Sequence, residues 1–266
     1  MTHIINLYTI YKCLTDAAFR KIYKEKKRLQ RSKRYKKGTT SLLGNTLTYV
    51  DANTCYYGYL EIFEKQPYKF IADNNNPYII DCGANIGLSI LYFKSIYPRA
   101  TIIAFEPDPD IYKVLQTNIE SFKLTNITIH QAAVWTYNGS LDFQIEGGMS
   151  GRIPKITDKT NIRKVDAIRL KDLLVQPIDF LKIDIEGAEY EVIKDCAGLL
   201  YLVKHLFIEY HSHITETQKL DELLNILTAQ GFRYHIHEAY TVTSPFVNQG
   251  DMLDMDLQLN IYAKKV

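Results

Sequence analysis

A chain of 266 residues with 46% hydrophobic content can bury a substantial core and falls in the size range of a single α/β domain. Its four cysteines, at positions 13, 55, 82 and 196, show neither paired metal-ligand spacing nor the density of a disulfide scaffold, which argues for a reducing, cytoplasmic compartment. The net charge of +2 hides an asymmetry: residues 20–37 hold eleven Lys or Arg against one Glu, a local +10 that leaves −8 on the remainder.

Ahead of that basic run, Ile4, Ile5, Leu7, Tyr8, Tyr11, Leu14, Ala18 and Ile22 recur at roughly helical intervals. The apolar stretch precedes the charge and lacks a small-residue cleavage site, unlike a secretory signal, and it is too interrupted to span a bilayer. We therefore read residues 1–45 as a basic helical extension and residues 46–266 as the main domain. The extension suits a solvated helix packed on the domain or on a second subunit. Attraction to anionic lipid, or to a lipid-carried substrate at the inner face of a membrane, is the sharper reading of residues 20–37. Nucleic-acid binding ranks third, because no recognition module accompanies the charge.

Beyond a break at 38–44, Thr46 to Val50 reads as a strand, Tyr56 to Phe70 as a polar-aromatic helix and Asn74 to Pro77 as a turn. From Tyr78 strands and helices alternate. Tyr78 to Asp81 is a buried strand, and Leu88, Leu91, Tyr92 and Ser95 line one face of a helix that stops at Pro98. Ile102 to Phe105 is the next strand; Asp108 and Pro109 then cap a helix carrying Ile111, Val114, Leu115, Ile119 and Phe122. Ile127 to His130 and Ala132 to Val134 supply a third strand and the turn after it. Residues 137–172 break the rhythm; Leu141 to Ile145 is strand-like, and the glycine-rich stretch 146–151 suits a substrate loop or a hairpin turn. The pattern resumes with a strand at 179–185, a helix at 188–200, a strand at 205–211 and a helix carrying Leu220, Leu223, Leu224 and Leu227 that Gly231 ends. Two closing strands, 232–236 and 257–263, have no helix between them and suggest an antiparallel edge hairpin. The whole predicts an α/β fold with a mostly parallel sheet covered on both faces.

The most informative stretch is Ile79-Ile-Asp-Cys-Gly-Ala-Asn-Ile-Gly87, where an apolar strand runs into an acid and two glycines, followed nineteen residues later by a second strand ending in Glu106. This pattern suits a nucleoside crevice at the carboxyl ends of neighbouring parallel strands. The spacing Gly83-x-x-x-Gly87 lacks the middle glycine that lets a diphosphate touch the backbone, and Asn85 intrudes there. S-adenosylmethionine fits better, with Asp81 near its ammonium group and Glu106 near its ribose.

Taken with Ala104 to Pro109, Val165 to Leu174, Asp179 to Ile193 and Phe207 to Ser212, this stretch resembles the FkbM-type S-adenosylmethionine-dependent methyltransferases, a branch of the class I (Rossmann-like) methyltransferase fold. The resemblance covers residues 78–211 closely and leaves 1–45 unmatched. It implies a seven-stranded sheet of order 3-2-1-4-5-7-6, the seventh strand antiparallel, and O-methylation, frequently of a sugar hydroxyl in a polysaccharide, glycolipid or secondary metabolite. The carry-over sets the methionine moiety against Asp81, Gly83, Asn85 and Gly87, the ribose on Glu106 and the adenine beside Pro107 and Ala133.

A sugar hydroxyl is a poor nucleophile while protonated, so a base or stabilisation of the developing alkoxide is expected where the fourth and fifth strands end. Asp184 and Glu186 point the same way if their strand continues, and Glu209, His211 and His213 share a side of theirs. Asp184 or His211 is the expected base and Glu186 the expected substrate contact, against a plainer reading in which both acids cap the following helix. A divalent metal on Asp184, Glu186 and a histidine is an alternative that the residues do not favour over a metal-free site. His235 and His237 are expected to be structural. Two rival functions are an RNA methyltransferase, disfavoured because Asp184 to Gly187 replaces the Asp/Asn-Pro-Pro-aromatic motif of amine methylation, and a non-catalytic nucleoside-binding or interaction protein.

Overall fold

The computed structural model describes residues 7–145, 151–152, 161–248 and 254–265. The basic segment forms two helices, α1 (Leu7–Thr15) and α2 (Ala17–Arg31), and Asp16 caps the second by accepting the Phe19 amide at 2.9 Å. An antiparallel hairpin of β1 (Gly38–Thr40) and β2 (Leu47–Tyr49) leads to α3 (Ala52–Tyr59), which runs on into a π-helical turn, Leu60–Lys65. This helix was expected over 56–70. It begins earlier because Asp51 accepts the Thr54 amide as its cap, and ends earlier because Gln66 turns to a left-handed φ of 56°.

No seam in the packing marks residue 45. Leu29 of α2 is fully buried with Leu42, Leu47 and Ala52 against Ile86 and Val114 of the main domain. Part of the basic charge is used within the fold: Arg28 pairs with Glu25 at 2.7 Å, Arg34 with buried Asp51 at 2.9 Å, and Lys26 with Glu64. Among the described residues no helix is long and apolar enough to cross a membrane.

The alternating region follows as β3 (Tyr78–Cys82), α4 (Leu88–Ile96), β4 (Thr101–Phe105), α5 (Pro109–Ser121) and β5 (Ile127–His130). Asp108 caps α5 by accepting the Asp110 amide at 2.8 Å. In α4 every residue from Leu88 to Lys94 is buried, so Ser95, expected on the inward face, is exposed instead.

The chain then leaves the main sheet. β6 (Ala132–Trp135), β7 (Gly139–Ile145), β8 (Gly151–Arg152) and β9 (Ile162–Arg169) make a separate four-stranded sheet of order β6-β9-β7-β8 around Ala133, Leu141, Phe143, Val165 and Ala167. Ala132 to Val134, expected as a turn, is thus a strand paired in parallel with β9. Of the expected substrate loop, residues 146–150 lie outside the described residues.

The main sheet closes with β10 (Ile178–Ile183), α6 (Glu189–Cys196), β11 (Val203–His213), α7 (Leu220–Ala229), β12 (Phe232–Thr241) and β13 (Met255–Lys265). Its order is β12-β13-β11-β10-β3-β4-β5, which is 3-2-1-4-5-7-6 when β3 is counted first, with β13 antiparallel to both neighbours. The molecule therefore has the class I methyltransferase architecture. Neighbouring residues divide its core by the strand pleat. Leu181 and Leu206 join a largely aliphatic layer under α6 and α7, while Phe180 and Phe207 face an aromatic layer with Tyr68, Phe70 and Phe93. Phe180 lies 4.9 Å from Phe70 and 5.1 Å from Phe93 between ring centres.

Candidate active site

The carboxyl ends of β3, β4, β10 and β11 open into a cavity of about 620 Å³, within the roughly 300–1,000 Å³ that small-molecule sites occupy. At one end the backbone does most of the shaping. Gly83 has a φ of 90°, and a Cβ there would come 1.9 Å from the carbonyl oxygen of Asp184, so no side chain fits between the two strand ends. The amides of Gly83 and Ala84 both donate to the Phe105 carbonyl, at 3.2 and 2.8 Å, tying the turn to β4.

Glu106 is buried at this end and lines the cavity; its two oxygens accept the amides of Asn85 at 3.0 Å and Asp108 at 2.9 Å. Burial pushes its carboxyl up to about 8, against those amide bonds, which favour the charged form. Pro107, Phe105, Ile111, Ala133 and Phe143 complete an apolar slot, so the side sheet supplies one wall. Gly83, Asn85, Glu106, Pro107 and Ala133 therefore meet one space.

Asp81 and Gly87 do not. Asp81 is fully buried beneath the floor, bonded to the Ser89 hydroxyl and 3.4 Å from the Lys182 ammonium, its register partner across β3 and β10. Expected to meet a ligand directly, it does not line the cavity. Lys182 also donates to the Gly83 carbonyl at 2.8 Å and to Asp184 at 3.1 Å. Burial opposes its charge, yet Asp184 and Asp81 hold the ammonium well above its ordinary range. Asp81 thus acts on the cavity through Lys182 and the turn it pins. Gly87 stands at the start of α4 with a φ of 92°, where a Cβ would meet Leu115 at 2.8 Å, and does not line the cavity.

The other end is acidic. Asp184, Glu186 and Glu209 line it with Glu61 from the π-helical turn and Tyr68. The strand stops at Ile183 and Glu186 takes a left-handed φ of 58°, so Asp184 and Glu186 converge through a turn and not through strand alternation. The N-cap residue of α6, Ala188, makes no side-chain bond, and Glu189 in the first turn reaches back to accept the Ile185 amide at 3.1 Å and the Gly187 amide at 3.0 Å.

His211 lies behind this wall, buried and absent from the cavity lining, so it does not reach an acceptor directly, as an expected base would. Its Nδ1 is 3.0 Å from Glu189, and its Nε2 is 3.5 Å from Glu186 and 3.9 Å from Glu209. Burial pulls its proton affinity down, but Glu189, Glu186 and Glu209 together hold it well above the ordinary imidazole range. His213 packs near Gly187, where a Cβ would meet its Nε2 at 3.3 Å.

A second cavity of about 580 Å³ adjoins the acidic end and shares Glu61 and Glu209 with the first. Lys65, Lys69, His237, Gln258, Asn260 and Tyr262 line it, so His237, expected to be structural, faces a cavity on the antiparallel edge. His235 is exposed. Three features escaped sequence reasoning. Glu61 and Tyr57 come from a helix without a recognisable motif, Glu189 was masked by the more conspicuous Asp184 and Glu186, and Gln30 and Arg34 reach the first cavity from the basic segment.

The FkbM methyltransferase domain matches residues 81–234, more than half of the chain. Methyltransferase sdnD of Sordaria araneosa is 33% identical over 172 residues, covering 51% of this chain and 66% of that protein. The 2-O-methyltransferase NoeI of Sinorhizobium fredii is 27% identical over 161 residues, covering 53% and 65%. The matches thus span just under two thirds of either relative's length. The crystal structure of an FkbM methyltransferase from Methylobacillus flagellatus aligns over 92% of this chain and 59% of that one, at a TM-score of 0.48 and 18% identity.

Proposed function

We propose that this chain, which belongs to the FkbM methyltransferase family, is an S-adenosylmethionine-dependent O-methyltransferase acting on a sugar-type hydroxyl. The observation that carries the reading is the junction of two cavities at Glu61 and Glu209: a nucleoside-shaped slot on one side and a polar, partly aromatic space on the other. When bound, S-adenosylmethionine supplies an activated methyl group on a cationic sulfonium. Glu106 accepts ribose hydroxyls with the lone pairs its two amide bonds leave over, and Pro107, Ala133 and Phe143 enclose the adenine. Gly83 and Asn85 bound the methionine end.

The adjoining cavity offers donors and acceptors in Lys69, Gln258 and Asn260, with the Tyr262 ring as an apolar face, a mixture suited to a polyol. Alignment of the hydroxyl supplies most of the rate. Asp184 takes its proton and Glu186 orients it, while His211, behind Glu186, is a positioning residue. A relative named for 2-O-methylation supports transfer to oxygen. Residues 20–37 remain our candidate for contact with a lipid-carried acceptor, through those cations not paired within the fold.

The test is transfer of a labelled methyl group to free sugars, lipid-linked sugars and RNA. Label should enter a hydroxylated acceptor as a base-stable ether, and Asp184→Asn should lower turnover by about 100-fold or more while leaving S-adenosylhomocysteine affinity unchanged. Label in RNA, or undiminished turnover by Asp184→Asn, would overturn the reading.

A further inference from the structure

The geometry points to a divalent-cation site of the Mg²⁺ or Mn²⁺ class formed by Asp184, Glu186 and His211 at the acidic end of the cavity. One carboxylate oxygen from each acid and a ring nitrogen of His211 lie within 4.8 Å of one another. Ligand atoms about 2.1–2.2 Å from an ion stand roughly 4.4 Å apart across it and about 3 Å apart side by side, so a modest inward movement completes the set. No cysteine takes part, and two hard oxygens with one imidazole suit Mn²⁺ or Mg²⁺ better than a thiophilic metal.

A second observation is independent of that proximity. Glu189 is buried and fixed by the amides of Ile185 and Gly187, and its Oε1 lies 3.0 Å from His211 Nδ1. With Nδ1 bonded to Glu189, Nε2 is the nitrogen that faces Glu186, at 3.5 Å, and the one from which an ion would displace the proton. A carboxylate behind a histidine whose other nitrogen faces further acids is the support that orients metal-ligating imidazoles.

Asp184 and Glu186 also line the cavity, so the remaining coordination positions open toward the acceptor. Bound there, the ion can take two oxygens of a vicinal diol and stabilise the alkoxide that develops on one of them. That catalytic role rests on the O-methyltransferase reading above; the binding of the ion does not.

The experiment titrates Mn²⁺ into the full chain without donor or acceptor, following the resonance of free Mn²⁺. One ion per chain should bind saturably. Asp184→Asn and Glu186→Gln should each weaken it at least tenfold, and Glu189→Gln by about 10-fold through the lost support of His211. Asp142→Asn, an exposed acid elsewhere, should change nothing. Millimolar Mn²⁺ should raise the melting temperature of the wild type and not of Glu186→Gln, which also verifies that the variant is folded. Absence of saturable binding up to millimolar Mn²⁺, or binding that survives both Asp184→Asn and Glu186→Gln as an adventitious ion, overturns the site. Methyl transfer unchanged by a chelator that strips the Mn²⁺ overturns its catalytic role. A failed acceptor assay leaves the titration intact, so the two readings fail separately.

Discussion

The two ends of the first cavity are built by opposite means. The nucleoside end is made of residues close in sequence, Gly83 to Glu106, and depends on backbone: two amides on one carbonyl, two amides on one carboxylate, and a contact with the turn after β10 that admits no Cβ. The acidic end draws Glu61, Asp184, Glu186 and Glu209 from three separate elements, and side-chain electrostatics hold it together. A backbone site keeps its fold on loss of a charge but not of a glycine, and a side-chain site has the reverse sensitivity.

The strongest way to break the contrast is Gly83→Ala. Its methyl would displace the Asp184 carbonyl at a φ that L side chains rarely adopt, so we expect more than about 3 kcal/mol of destabilisation in urea unfolding and no measurable S-adenosylhomocysteine binding. Next comes Lys182→Met, which strands the buried Asp81 carboxylate at a cost of about 3–5 kcal/mol, and Asp81→Asn added to it should restore part of the loss in a double-mutant cycle.

Glu106→Gln separates stability from binding. The folded carboxyl sits near 8 against an ordinary 4.5, so the unfolded chain binds fewer protons between those values and this group's contribution to stability is lost as pH rises from 4.5 through 8. The variant should abolish that slope and melt higher than the wild type at pH 8, by about 3 °C if the gain is ~1 kcal/mol, while binding S-adenosylhomocysteine at least tenfold more weakly. Equal pH slopes in calorimetry of the two proteins would remove the assignment. The smallest effect is expected at Arg34→Ala. Its guanidinium is partly exposed, and Asp51 keeps the amides of Tyr35 and Thr54, so equilibrium unfolding should change by less than ~1 kcal/mol.

The same contrast explains what could be read from the chain. Glu106, Pro107 and Asn85 were legible because a strand, a tight turn and an acid at the next strand end form a local pattern whose chemistry does not depend on distant packing. Asp81 was legible as an acid but not as a buried one, since the register that sets Lys182 beside it is a pairing between strands a hundred residues apart. His211 was legible as a strand-end histidine beside Glu209, whereas the other two glutamates enclosing it come from α6 and from the turn before it. The extent of α3 was misjudged because Asp51 and Gln66 end it by capping and backbone conformation, against an aromatic pattern that continues to Phe70.

Sequence by itself determined the order of strands and helices of the main sheet, the crevice at the ends of its first two strands and the family to which the chain belongs, because hydrophobic period, caps and glycine spacing act over a few residues. Tertiary structure alone decided that the basic segment reaches the cavity, that the insertion forms a second sheet walling the adenine slot, and that five carboxylates surround Lys182 and His211. Those features arise where non-local strands and helices meet, and burial there shifts charge in ways that no short stretch of residues encodes.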